Sequence, residues 1–326
     1  MQIADYFTEQ DTMGRRRAKQ VGVNYGVLRL PERSGFDLTS AEHWNAYLDG
    51  FRSDGIIPVV IEPLPNGLYD TVKCGLPGRD EAMYKLKKIV ALMGRFHIPT
   101  LCLNFMAHVG WYRSRQNYPL RGGALGTAFD IKDYVPADDF AITQEQIWAN
   151  MESFFREIVP VAEKYQVRLA LHPDDPPVPA LGNVGRVLTS LQSIDRAVHL
   201  VDSPMLGVTL CQGCYSAMGE DVDLAIRHFA AQNKLFFVHF RDVRGTRECF
   251  HETFHDDGQT DMAPSVYTYL EVGFVGPARV DHVPTLAGEE NVLPGYAQMG
   301  RLYAIGYLRG LLEAAQKQKS SVNMKC

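Results

Sequence analysis

With 326 residues, 46% of them hydrophobic, and a formal charge of −5, the chain has apolar content for a large core and no cationic excess to hold a polyanion, so no nucleic-acid partner is expected. No apolar run reaches the roughly 18 residues that a membrane helix needs, and Met1-Gln-Ile-Ala-Asp-Tyr lacks the basic-then-apolar order of a signal peptide; a soluble, cytoplasmic protein with no membrane partner is expected. Cysteines at 74, 102, 211, 214, 249 and 326 are too irregularly spaced for a disulfide framework.

In chain order, short apolar, β-branched runs predict strands at Gln2–Tyr6, Val21–Leu28, Ile57–Glu62, Pro99–Asn104, Val167–His172, Leu206–Cys211, Leu235–His239 and Ala278–Asp281. Amphipathic stretches predict helices at Ala41–Ser53, Asp80–Phe96, Thr143–Tyr165, Ile194–Val201, Asp221–Ala231, Ala263–Val272 and Met299–Ala315, with Thr143-Gln-Glu-Gln146 as a capping box. Only the unit after Tyr6 looks short of a full helix, and the basic run Arg15-Arg16-Arg17 reads as a solvated helix face.

The alternation predicts an α/β fold, a (β/α)8 TIM barrel forming a single catalytic domain over 1–326. Arg121-Gly-Gly-Ala-Leu-Gly126 falls in a loop rather than at a strand-to-helix turn, which argues against dinucleotide binding. The stretch at about 105–140, with Trp111, Tyr112, Arg113, Arg115, Tyr118, Arg121 and Phe129, is far longer than an ordinary connection and is expected to be a rim loop serving as a lid or a subunit-contact arm.

Four strand runs close on His172, Cys211, His239 and Asp281. In a parallel barrel all carboxyl ends face one rim, so these side chains can converge as metal ligands. Cys211-Gln-Gly-Cys214 has the spacing of a redox or zinc pair, but without a second pair Cys214 reads as helix-start packing. Asp174 and Asp175 are expected to fix their loop and orient His172. His251-Glu-Thr-Phe-His255 has an i, i+4 histidine pair, but Asp256-Asp-Gly258 breaks any helix there, so His251 and His255 are candidates for substrate hydroxyl contacts. Arg241 and Arg244 could hold a carboxylate or be solvated loop arginines. Ligand softness alone suggests zinc or iron.

His172-Pro-Asp-Asp-Pro-Pro177, Cys211-Gln-Gly213, Val238-His-Phe-Arg-Asp-Val243, Asp281-His282 and Gly295-Tyr296 resemble the mannonate dehydratase family, as do Gly78-Arg-Asp-Glu81 and Asn104-Phe-Met106. The resemblance covers nearly the whole chain and implies a xylose isomerase-like TIM barrel. It also implies that His172, Cys211, His239 and Asp281 bind a divalent ion, usually Mn²⁺, with Fe²⁺, Co²⁺ and Zn²⁺ as alternatives. His282 and Tyr296 match the family's proton-transfer groups, and Asn104 is a candidate substrate contact. Arg279-Val280 stands where a Pro commonly adjoins the Asp, and longer members carry extra segments, which leaves the exact sugar acid open.

The implied reaction is dehydration of D-mannonate to 2-keto-3-deoxy-D-gluconate in hexuronate catabolism, with the ion spreading the charge of an enediolate. A histidine that titrates near neutrality and a phenol lowered beside a cation would share the acid and base roles, in an order left open. A homo-oligomer is expected. A sugar isomerase or epimerase on this barrel remains an alternative, although such sites are carboxylate-rich with a catalytic Lys or Glu. A non-catalytic sugar-acid binding protein is a third reading, one that would not need the donor set together with His282 and Tyr296.

Overall fold

The computed structural model describes residues 1–323, so Cys326 lies outside the described residues. The chain runs β1 (Gln2–Phe7), α1 (Thr12–Gln20), β2 (Tyr25–Leu28), α2 (Ala41–Ser53), β3 (Ile57–Ile61), α3 (Asn66–Lys73), α4 (Arg79–Arg95), β4 (Thr100–Leu103), β5 (Arg115–Pro119) and β6 (Leu125–Asp130). It continues through α5 (Gln144–Tyr165), β7 (Arg168–Leu171), β8 (Ala180–Leu181), β9 (Val184–Gly185), α6 (Leu191–Val198), β10 (Leu206–Cys211), α7 (Gln212–Met218) and α8 (Val222–Ala231). Last come β11 (Leu235–Phe240), β12 (Val243–Thr246), β13 (Cys249–Glu252), α9 (Met262–Glu271), β14 (Pro277–Val280) and α10 (Gln298–Asn323). No helix among the described residues is long and apolar enough to cross a membrane.

Eight strands close a barrel in the order β1-β14-β11-β10-β7-β4-β3-β2, and every neighbouring pair is parallel. The strand period of two sorts their side chains. Leu101, Leu103, Leu169, Leu171, Val208, Leu210 and Val238 face the helices in one large core, whereas Ala4, Tyr6, Val60, Cys102, Ala170 and Phe237 fill the barrel in a smaller one. Counting two residues onward from Val60, Cys102, Ala170 and Phe237 reaches Glu62, Asn104, His172 and His239, so strand parity aims these side chains over the barrel mouth.

The eight strands match the expected ones, with small shifts at their ends. The second begins at Tyr25 rather than Val21, because α1 runs to Gln20, Val21 N–H still bonds back to Arg17 and Ala18 carbonyls, and Gly22 turns the chain at φ +80°. That nine-residue helix corrects the expectation that the first unit falls short of a full helix. It shows little apolar periodicity because Arg15 does part of the burying: the residue is 4% exposed, its Nε lies 2.6 Å from Asp54, and its guanidinium sits 4.7 Å from the centre of the Phe51 ring. An arginine stem can cover apolar surface as an aliphatic residue does, so the basic run is solvated only at Arg16 and Arg17. The Thr143 capping box forms as expected, with both reciprocal bonds present.

The larger correction is the rim stretch. Instead of a loop, it forms the β5–β6 hairpin, and β6 pairs with β13 to make a four-stranded antiparallel sheet in the order β12-β13-β6-β5. Two distant excursions, after β4 and after β11, therefore build one element above the barrel.

Helix α10 packs closely on the segment leaving β14: a Cβ at Gly300 would lie 2.1 Å from the Pro284 carbonyl oxygen and 3.1 Å from Val283 Cβ. Gly300→Ala is expected to lose about 1–3 kcal/mol net, since overpacking against backbone outweighs the gain in helix propensity. Denaturant unfolding at fixed pH measures it, and an unchanged midpoint would mean that α10 shifts at no cost.

Candidate metal centre

The strands β14, β11, β10 and β7 are consecutive in the barrel, and each delivers one side chain to the same side of the mouth: Asp281, His239, Cys211 and His172. Register aligns them, with Cys211 opposite His239 and His239 opposite Arg279. All four are nearly or fully buried. The donor atoms of His172, Cys211 and His239 lie within 4.8 Å of one another. His172 Nε2 is 3.1 Å from His239 Nδ1, and Asp281 Oδ2 is 3.3 Å from that same Nδ1.

The outward edges of the rings are committed. His172 Nδ1 lies 2.7 Å from the Pro173 carbonyl, which leaves Nε2 as the free lone pair. His239 Nε2 faces Glu62, 3.1 Å from Oε1, which leaves Nδ1 inward. A ligating imidazole commonly has its second nitrogen anchored in this way. Burial pushes the Cys211 thiol up, but a hydrogen bond from Cys214 and the Arg241 guanidinium hold it well below its ordinary value; burial and the adjacent sulfur push Cys214 well above. Cys211 is thus the thiolate and Cys214 its thiol donor. Burial also works against the Asp281 carboxylate, yet Arg279 and the two neighbouring histidines hold it well below the usual range. Two oriented imidazoles, a thiolate and a carboxylate fit a divalent cation.

Three of these donors, His172, His239 and Asp281, line a cavity of about 180 Å³ together with Glu62, Asn104, Trp111, Arg279, His282 and Tyr296, and Cys211 lies behind them. His282 adopts φ +48°, a region sparse for side chains that carry a Cβ and one that recurs at functional sites. The Val283 N–H bond to the Gly295 carbonyl, 2.8 Å, ties this turn to the segment bearing Tyr296. The His282 ring meets Trp111 edge-on at 5.3 Å and Tyr296 at 5.6 Å between centroids. Burial, then the Asp281 carboxylate, push the Tyr296 phenol above its ordinary value.

Not every sequence candidate reaches the cavity. Arg241 is buried behind it: its Nη1 lies 2.8 Å from Asp175 and its Nη2 2.7 Å from Glu252, so its donors are already engaged. Arg244 is exposed and turned to Asp257. His251 stacks on Tyr118 at 4.5 Å, on a separate hollow of the rim sheet. His255 is buried with Nε2 2.6 Å from the Phe240 carbonyl, and burial lowers it to about 4. Asp174 accepts the Val187 and Leu188 N–H groups and Asp175 pairs with Arg113; neither bonds to His172.

Sequence reasoning passed over Arg279, Glu62, Arg113 and Glu252. Arg279 lies 3.0 Å from both Glu62 and Asp281, and strand parity could have found it, two residues before Asp281. Burial raises Glu62, but Arg279 and His239 bring it down to about 2. Arg113 reaches Asp175 at 2.7 Å and Glu252 at 2.6 Å. Burial raises Glu252 too, while Arg241, His282 and Arg113 lower it to about 2.

The fold and rim chemistry define a (β/α)8-barrel enzyme. A solved D-psicose 3-epimerase of Clostridium cellulolyticum H10 shares that fold, with a TM-score of 0.61 at 14% identity over 96% of this chain and 99% of that one. More specifically, the chain belongs to the D-mannonate dehydratase (UxuA) family, whose profile matches residues 1–141 and 137–322; its members are hydro-lyases. It is 33% identical over 285 residues to a mannonate dehydratase of Streptococcus equi subsp. zooepidemicus, covering 78% of each chain. The crystal structure of mannonate dehydratase from Streptococcus suis serotype 2 superposes with a TM-score of 0.90 at 28% identity, covering 98% of this chain and 96% of that one.

If the four rim donors hold the ion, Cys211→Ser and His239→Ala should each lose most bound divalent metal while keeping a folded spectrum. Elemental analysis of the purified proteins tests this; metal content equal to the parent in both variants would place the ion elsewhere.

Proposed function

We propose that this chain dehydrates D-mannonate to 2-keto-3-deoxy-D-gluconate in hexuronate breakdown, with a divalent cation held by His172, Cys211, His239 and Asp281. The observation that carries the reading is the convergence of these inward donors, on four consecutive strands, in a chain of the mannonate dehydratase family. Bound there, the cation supplies positive charge beside the substrate carboxylate, where negative charge develops as the adjacent carbon loses its proton. Mn²⁺ is the ion implied by the resemblance noted above, whereas the thiolate by its softness favours Zn²⁺ or Fe²⁺, with Co²⁺ a further alternative.

The chain's own groups then move the protons. His282 Nε2 accepts the C2 proton, its other ring nitrogen, Nδ1, being held at 2.9 Å by the Glu252 carboxylate. The Tyr296 hydroxyl donates to the C3 oxygen, which departs as water. The imidazolium proton restores the phenol, and the enol tautomerises to the 2-keto acid, so the net change is loss of one water. Arg279 sets a fixed cation at the same end of the cavity, and Asn104 and Trp111 bound the rest of it.

Purified protein should form 2-keto acid from D-mannonate with added Mn²⁺, and chelation should abolish the rate. A panel of aldonic acids and ketoses sets the boundary, since aldose–ketose conversion or epimerisation would replace this reading and binding without turnover would remove it. Tyr296→Phe keeps the ring, so packing alone predicts a near-normal enzyme. Loss of the donor predicts normal metal content and a kcat lower by roughly 10²–10⁴, with KM little changed.

A further inference from the structure

Glu252 neither lines the cavity nor belongs to the cation donors, yet its carboxylate meets the proposed proton-transfer histidine directly. Glu252 Oε1 lies 2.9 Å from His282 Nδ1. The same oxygen accepts from Arg113 Nη2 at 2.6 Å and Arg241 Nη2 at 2.7 Å, while Oε2 accepts from Arg241 Nε at 2.8 Å. The residue is 1% exposed and ends β13, in the rim sheet rather than the barrel. An ionised carboxylate has acceptors only, so the hydrogen of this contact belongs to His282 Nδ1. The competing neighbour, Arg113 Nη2, is 3.5 Å from that nitrogen and already bonds Asp175 at 2.9 Å and Glu252. With Nδ1–H fixed, the lone pair of the ring lies on Nε2, which is 3.8 Å from Asp281 Oδ2.

We propose that Glu252 is a positioning residue for His282: it selects the Nδ1–H tautomer and holds the ring so that Nε2 addresses the C2 proton. Arg113 and Arg241 fix the carboxylate for this task, and the rim sheet is thereby part of the catalytic apparatus. The inference rests on the reading that His282 accepts the C2 proton. A carboxylate that served only to neutralise two buried arginines would have no need to meet the imidazole.

A double-mutant cycle on the metal-loaded, full-length protein separates the two roles. Glu252→Gln is expected to lower kcat on D-mannonate by roughly 10–100-fold, the usual effect of losing an outer partner of a site histidine, with KM and metal content near the parent. In a His282→Asn background the same change should cost almost nothing more, because there is no imidazole left to orient. Losses that multiply across the two sites overturn the proposal. Should Glu252→Gln fail to fold, Glu252→Asp retains the charge facing both arginines while drawing the carboxylate back by one methylene; it should melt like the parent yet lose kcat, and a parent-like kcat overturns the proposal. Absence of mannonate turnover in the parent itself would instead overturn the reading beneath, and the dyad with it.

Discussion

A charge withdrawn from water must meet its opposite or be neutralised, and at the mouth of this barrel that requirement arranges nearly everything else. Glu62, Asp175, Glu252 and Asp281 are buried together with Arg113, Arg241 and Arg279. Each carboxylate touches at least one guanidinium at 3.0 Å or closer, and each arginine reaches two carboxylates. Lysine could not replace these arginines, because only a planar fork of donors can serve several acceptors in fixed directions. The guanidiniums hold the carboxylates well below their usual range, and Arg241 helps hold the Cys211 thiol below its ordinary value, so the site favours the anionic donors that suit a cation.

The fold was legible in the sequence because barrel strands announce themselves locally. An apolar run that ends in a polar residue marks both a strand and the rim, which is how His172, Cys211, His239 and Asp281 stood out together. The same rule, extended by strand parity, contains Glu62 at the end of β3 and Arg279 two residues before Asp281. What defeated local reading was burial achieved by unusual means. Helix α1 hides Arg15 rather than an aliphatic residue, and the rim sheet consists of polar strands such as Arg115–Pro119 whose partners lie far along the chain.

The substrate candidates at Arg241, Arg244, His251 and His255 show the same limit from the other side. All four follow the β11 strand and share the correct rim, yet rim membership does not decide which way a side chain turns. Arg241 points back into the charge network, Arg244 toward solvent, His251 onto Tyr118, and His255 toward the strand backbone. Long-range contacts fix those directions, Asp175 and Glu252 for Arg241 and the rim sheet for His251, and such contacts leave no local trace in the segments they join.

Pairing of β13 with β6 also joins remote stretches of chain. Most barrel neighbours are close in sequence, but closure brings Gln2–Ala4 against Pro277–Arg279, and β6 meets β13 only when Ala128–Asp130 finds Cys249–His251. Contacts between segments so remote form slowly, since the entropy of closing the intervening chain is lost before any bond compensates for it. A species with its barrel complete and its rim strands unpaired would carry the cation donors without Arg113 facing Glu252, and it would expose open strand edges of the kind that recruit other chains. Pairing of the rim strands is therefore a step at which this chain is exposed to misassembly, and a ligand that bridges barrel and rim would act on it as a folding aid.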